Sequence, residues 1–68
     1  MLPPHFHVRY GEYNSTIAIR PLGLLEGRLP PRVFGSVMEW AALHQRELLE
    51  DWRLARERKP LKPIAPLE

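Results

Sequence analysis

The chain contains no cysteine, which excludes disulfides and thiolate zinc sites as the means of holding it together. It also lacks a long apolar run, since no stretch approaches the roughly 20 residues that cross a bilayer. Met1-Leu2-Pro3-Pro4 has neither the basic start nor the apolar centre of a signal peptide. These absences predict a soluble, cytoplasmic protein with no membrane partner. A surplus of one charge is missing too: 10 basic residues face 8 acidic ones, for a net charge of +2. That is weak support for a nucleic-acid partner, because dedicated binders cluster their basic residues on one face. Nothing in the sequence calls for a cofactor.

At 68 residues a single domain is expected, in the size range where one core barely suffices. Small chains compensate with disulfides, a metal or association. With disulfides excluded, a protein partner is the expected remedy, either a second copy or another chain.

Phe6, Val8 and Tyr10 alternate with His5, His7 and Arg9, the two-residue period of a strand with one buried face. The turn-forming run Gly-Glu-Tyr-Asn-Ser (Gly11 to Ser15) follows. Alternation then resumes, with Ile17 and Ile19 on one side and Thr16, Ala18 and Arg20 on the other. Two such runs about a turn predict a β-hairpin within 1–29. Breakers at Pro21, Gly23, Gly27, Pro30 and Pro31 leave room for a short third strand around Leu24 to Glu26.

No proline occurs between Pro31 and Pro60, so one long helix is predicted over 31–58. Its apolar arc holds Val33, Phe34, Val37, Met38, Trp40, Ala41, His44, Leu48, Leu49, Trp52 and Ala55, with Leu43 and Leu54 outside it. Arg53, Arg56, Arg58 and Lys59 end the helix with the charge its dipole favours. In the tail, 60–68, Pro-apolar-X recurs three times. A polyproline helix has three residues per turn, so Leu61, Ile64 and Leu67 are expected to form one ridge, laid on its own domain or across a partner.

"PPHFHVRYGEY", "GLLEGRLPPR" and "MEWAALHQRELLEDW", in this order and spacing, resemble a family of small bacterial proteins catalogued as domain of unknown function 4160. The resemblance runs from Pro3 to Glu68. It implies a short α+β domain encoded beside a second small protein, in suspected toxin–antitoxin-like pairs, and supplies no catalytic residues to carry over. It also implies a strand's length of sequence ahead of the first block, where only Met1 and Leu2 stand. A sheet begun at this block has an open edge, and open edges invite pairing.

Three histidines are present. His5 and His7, two apart on a strand, point the same way, but a metal site needs a third ligand. His44 belongs to the arc that should cover the opposite, Phe6/Val8/Tyr10 face, and Glu12 sits in the turn. No metal site is expected. Acid–base chemistry is the second possibility: His5 and His7 could move protons while Arg9 and Arg20 hold a phosphate, which is the equipment of metal-free RNA cleavage. The competing reading is a solvated polar face on a half-exposed strand.

The expected architecture is therefore an antiparallel hairpin or three-stranded sheet packed on one long C-terminal helix, with a polyproline-like tail. The apolar residues exceed what such a sheet needs, which points to an interface made by Phe34, Trp40, Leu43 and Trp52 with Leu61, Ile64 and Leu67. The sequence favours a protein-interaction module of a toxin–antitoxin-like or regulatory pair over an enzyme, with a ribonuclease-like toxin acting through His5, His7, Arg9 and Arg20 as the alternative.

Overall fold

The computed structural model describes residues 2–67. Met1 and Glu68, the last residue of the expected tail, lie outside the described residues. The chain is an α+β fold in the order β1 (His5–Tyr10), β2 (Tyr13–Ile19), β3 (Leu22–Gly27), α1 (Pro31–Leu43) and α2 (Gln45–Arg56). The three strands form an antiparallel sheet in sequence order, with β2 at the centre.

Local chemistry sets the register. Tyr10 pairs with Tyr13, so only Gly11 and Glu12 span the first turn. Gly11 carries φ +58, and Glu12 does not share that sign, which is the pattern of a type II′ hairpin turn. The expected five-residue turn, Gly11 to Ser15, is thus two residues long, and Tyr13, Asn14 and Ser15 already belong to β2. A bulge follows on β3: Thr16 pairs with Glu26 and Ile17 with Leu24, leaving Leu25 as the extra residue. Gly27 closes the strand at φ +80 against the Asn14 backbone, an approach only glycine permits.

The alternation puts Phe6, Ile17, Ile19, Leu22 and Leu24 on one face. Ile17 and Ile19 are fully buried there. Ile19, Ala41 and Leu48 form the core cluster, with Phe6, Leu22, Trp40, Leu49, Trp52 and Ile64 packed around it. Phe6 meets Trp40 edge-on at a centroid distance of 6.1 Å, the geometry aromatic pairs prefer.

The single helix expected over 31–58 is instead two, divided at His44, whose φ −112 and ψ 23 end α1 and begin α2. Length supplies the reason. One helix over 31–58 would run roughly 42 Å, about twice the length of strands of 6 or 7 residues, and its far half would find no sheet beneath it. The break lets α2 return to the same core. Gln45 marks the new start by donating from Nε2 to the Ile19 carbonyl at 2.5 Å. The change of axis also shifts the apolar arc. Leu54, expected outside it, is buried, and Ala55, expected inside it, is exposed. Leu43, beside the break, is 82% exposed.

After α2 the chain reverses through Arg58 at φ 58. Arg58 N–H donates to the Ala55 carbonyl and Lys59 N–H to the Leu54 carbonyl, the paired bonds of a Schellman stop, and Pro60 prevents resumption. The expected polyproline tail is described to residue 67 and carries no regular secondary structure. Nor do its apolar residues bury as one ridge: Leu61 and Leu67 are exposed, while Ile64 is half-buried against the core. Discrete bonds rather than a threefold repeat hold the segment. Lys62 N–H donates to Asp51 Oδ1 at 2.9 Å, and the Trp40 indole N–H donates to the Ala65 carbonyl at 2.8 Å.

Candidate functional site

Both helices and the tail pack on the Phe6/Ile19/Leu22 side of the sheet; among the described residues no element packs on the other side, where Ala18 is nonetheless buried. The pairing His5↔Ala18, His7↔Thr16 and Arg9↔Asn14 lines that open face with His5, His7, Arg9, Asn14 and Thr16. Glu26 joins through its pairing with Thr16. A shallow groove along this stretch is bordered by His7, Val8, Arg9, Asn14, Ser15, Thr16, Glu26 and Gly27.

Both β1 histidines are held at Nδ1. His5 donates Nδ1–H to the Pro3 carbonyl at 2.8 Å, which fixes its tautomer and leaves Nε2 as a free acceptor. His7 Nδ1 is hydrogen-bonded to Thr16 Oγ1 at 3.2 Å. The two rings meet edge-on with centroids 5.5 Å apart. His5, so arranged, could accept a proton at Nε2. Among the described residues, no three His, Cys, Asp or Glu side chains gather closely enough to hold a metal ion.

The other candidates separate by register. Arg20 occupies the turn between β2 and β3, where Ile19 pairs with Leu22. Arg9 pairs with Asn14, six positions from Arg20 along the strand and so about 20 Å away. The structure therefore gathers His5, His7 and Arg9 on one face and places Arg20 in the turn beyond its His5 end, two positions past Ala18, the partner of His5. His44 lies on the helical side. Its ring tilts over Trp40 at 5.4 Å, and its Nδ1–H donates to Glu47 Oε1 at 2.5 Å.

Of the residues expected at a partner surface, Phe34, Trp40, Trp52 and Ile64 are half-buried. The Arg56 guanidinium lies over the Trp52 ring at 4.8 Å, and the tail carbonyl of Ala65 engages Trp40. Leu43, Leu61 and Leu67 are exposed.

The backbone of β1 adds what side-chain patterning missed. In a two-residue hairpin the closing pair is hydrogen-bonded, and bonded and non-bonded pairs alternate from there. The bond from Ile19 N–H to the Pro4 carbonyl at 2.8 Å confirms the phase. Tyr10, Val8, Phe6 and Pro4 thus bond inward to β2, while the N–H and C=O groups of His5, His7 and Arg9 point away from the sheet. Among the described residues no backbone hydrogen bond reaches these groups. The turn length alone implied this phase, because with Gly11-Glu12 as the loop, Thr16 must face His7. Glu26 was not legible in the same way, since its place depends on the bulge.

Electrostatically the marked features lie elsewhere. The Lys62 ammonium, 2.7 Å from Glu50 Oε1, holds the Glu50 carboxyl below its ordinary value through a hydrogen bond and its charge. Lys59 and then Arg53 do the same for Glu57. Among the described residues no helix is long and apolar enough to cross a membrane.

A family model described as Domain of unknown function (DUF4160) matches residues 1–53. No curated protein and no solved structure matches the chain.

Proposed function

The chain belongs to the DUF4160 family, and from that premise we propose that it is a protein-interaction module of a two-gene toxin–antitoxin-like or regulatory pair, docking its partner by strand addition to β1. One observation carries this reading: the outward N–H and C=O groups of His5, His7 and Arg9 form an edge with no backbone partner among the described residues. Such an edge offers main-chain hydrogen bonds to an added strand. The same residues place their side chains on the open face, where an added strand's residues would lie beside His5, His7 and Arg9. Main-chain bonding would supply affinity, and the side chains selectivity.

A second reading, a metal-free ribonuclease-like toxin, draws on the close His5–His7 pair with its free Nε2 position on His5. Its phosphate clamp is weaker than the sequence suggests, because Arg20 stands at the far end of β2 from Arg9. The groove is also shallow, whereas catalytic sites are concave.

Co-expression with the product of the neighbouring gene tests the first reading. The complex should co-purify with wild type and with His5→Ala/His7→Ala, and should be lost in His7→Pro, which deletes an outward N–H. No complex, or one indifferent to His7→Pro, ends this reading. Induction of the chain alone in a bacterial host tests the second. Growth arrest by wild type, absent from the equally expressed double alanine variant, is the outcome a nuclease requires.

A further inference from the structure

On the helical side of the molecule the tail is seated against both helices. Three kinds of contact hold the tail. The Trp40 indole N–H donates to the Ala65 carbonyl, one residue before Pro66. Asp51 Oδ1 accepts the Lys62 backbone N–H while Glu50 Oε1 holds its ammonium at 2.7 Å. Ile64 packs on the Ile19/Ala41/Leu48 cluster. An aromatic N–H aimed at the carbonyl before a proline, an apolar seat, and acidic groups beside a lysine are the means by which proteins read short proline-containing peptides. A proline-rich segment suits such a seat because it loses little entropy on docking.

We propose that this seat on α1 and α2 is a binding site for an external lysine- and proline-containing peptide of the pattern Lys-Pro-apolar-X-Pro, and that residues 62–66 are a tethered competitor for it. The seated tail identifies the occupant's chemistry: Glu50 fits a basic side chain, Asp51 a backbone N–H, the Ile19/Ala41/Leu48 cluster an apolar residue, and Trp40 the carbonyl before proline. Tethering gives the tail an effective concentration on the order of a millimolar. An external peptide with micromolar intrinsic affinity is therefore suppressed until the tail is displaced. This surface lies on the face opposite the His5/His7/Arg9 groove, so the inference stands independently of the strand-addition reading.

The test uses the full-length chain and a fluorescent synthetic peptide with the sequence of residues 59–67, followed by anisotropy. Two variants free the seat by different means: Ile64→Asp removes the apolar anchor, and Lys62→Glu sets a carboxylate against Glu50 and Asp51. Circular dichroism establishes that each remains folded. Both should bind the peptide at least tenfold more tightly than wild type, and adding Trp40→Phe should reverse much of that gain. Absence of binding to both folded variants overturns the proposal, as does equal binding by wild type and variants. Sedimentation of wild type as a dimer that Lys62→Glu dissociates would assign the seat to tail exchange between two copies, and so overturn an external occupant.

Discussion

Trp40 reaches 25 positions along the chain to donate its indole N–H to the carbonyl of Ala65, 2.8 Å away. The same ring meets Phe6 on one side and His44 on another. It thereby joins strand, helix break and tail at a single side chain. Trp40→Phe keeps a ring against Phe6 and loses the donor. A net hydrogen bond contributes about 1 kcal/mol, so the urea midpoint should fall by that equivalent. Backbone hydrogen exchange should rise in the tail and in no strand. Unchanged exchange at residues 62–65 would show that the bond does not hold the tail.

Acid should loosen the same segment. Glu50 has its carboxyl lowered from an ordinary 4.5, first by the hydrogen bond from Lys62 and then by that residue's charge. A depressed carboxyl contributes stability that is fully present above the unfolded value and lost as pH falls through the folded one. The window therefore lies below about pH 4.5, and the effect is small because the pair is exposed. The Trp40 indole N–H resonance should shift across that window in wild type and stay put in Lys62→Met. Identical titrations in the two proteins would detach the tail from the Glu50–Lys62 pair.

The strands were legible because their period is short and their turns are chemically marked. Phe6/Val8 and Ile17/Ile19 declared a buried face, though Tyr10, expected on it, is exposed, and Gly11 marked the hairpin. The helix break was not legible. Nothing between Pro31 and Arg58 forbids a continuous helix, and Arg46–Glu50 even has helical i,i+4 spacing, yet Glu50 pairs with Lys62 instead. What divides the helix is the size of the sheet beneath it, a tertiary fact that no local pattern encodes. The same break misplaced Leu54, since a phase carried past His44 no longer applies. At the candidate site, side-chain alternation put His5, His7 and Arg9 on one face. Arg20 lies in the turn just beyond the His5 end of that face, where the strand has ended and alternation no longer fixes a side.

Two glycines should respond in opposite directions to the same substitution. At Gly27, with φ +80, an added Cβ would collide with the Asn14 carbonyl oxygen and lie 2.8 Å from Ser15 Cα, both backbone atoms that cannot step aside. Gly27→Ala should cost roughly 3 kcal/mol from left-handed strain and the forced backbone shift. At Gly35, inside α1, nothing lies within 4 Å of an added Cβ. Gly35→Ala should gain about 0.5–1 kcal/mol by restricting the unfolded chain. Thermal unfolding of the two variants decides the matter, and a stabilised Gly27→Ala would mean that β3 does not close against Asn14 as described.

Proline placed at neighbouring positions of β1 should separate the two directions in which its backbone points. The Val8 N–H faces β2, where Val8 pairs with Ser15, whereas the His7 N–H faces away from the sheet. Val8→Pro removes a ladder bond from a three-stranded sheet, and a loss of about 3 kcal/mol or more is expected. His7→Pro removes a donor with no partner among the described residues, and prolines are tolerated at that kind of edge position. Its unfolding midpoint should stay within about 1 kcal/mol of wild type, because the side chain it replaces is exposed and makes one hydrogen bond, to Thr16. The contrast depends on the phase of the hairpin. If His7→Pro proves the more damaging of the two, the inward and outward positions are exchanged. The unpaired edge would then belong to Phe6, Val8 and Tyr10, and the groups offered to an added strand would be theirs.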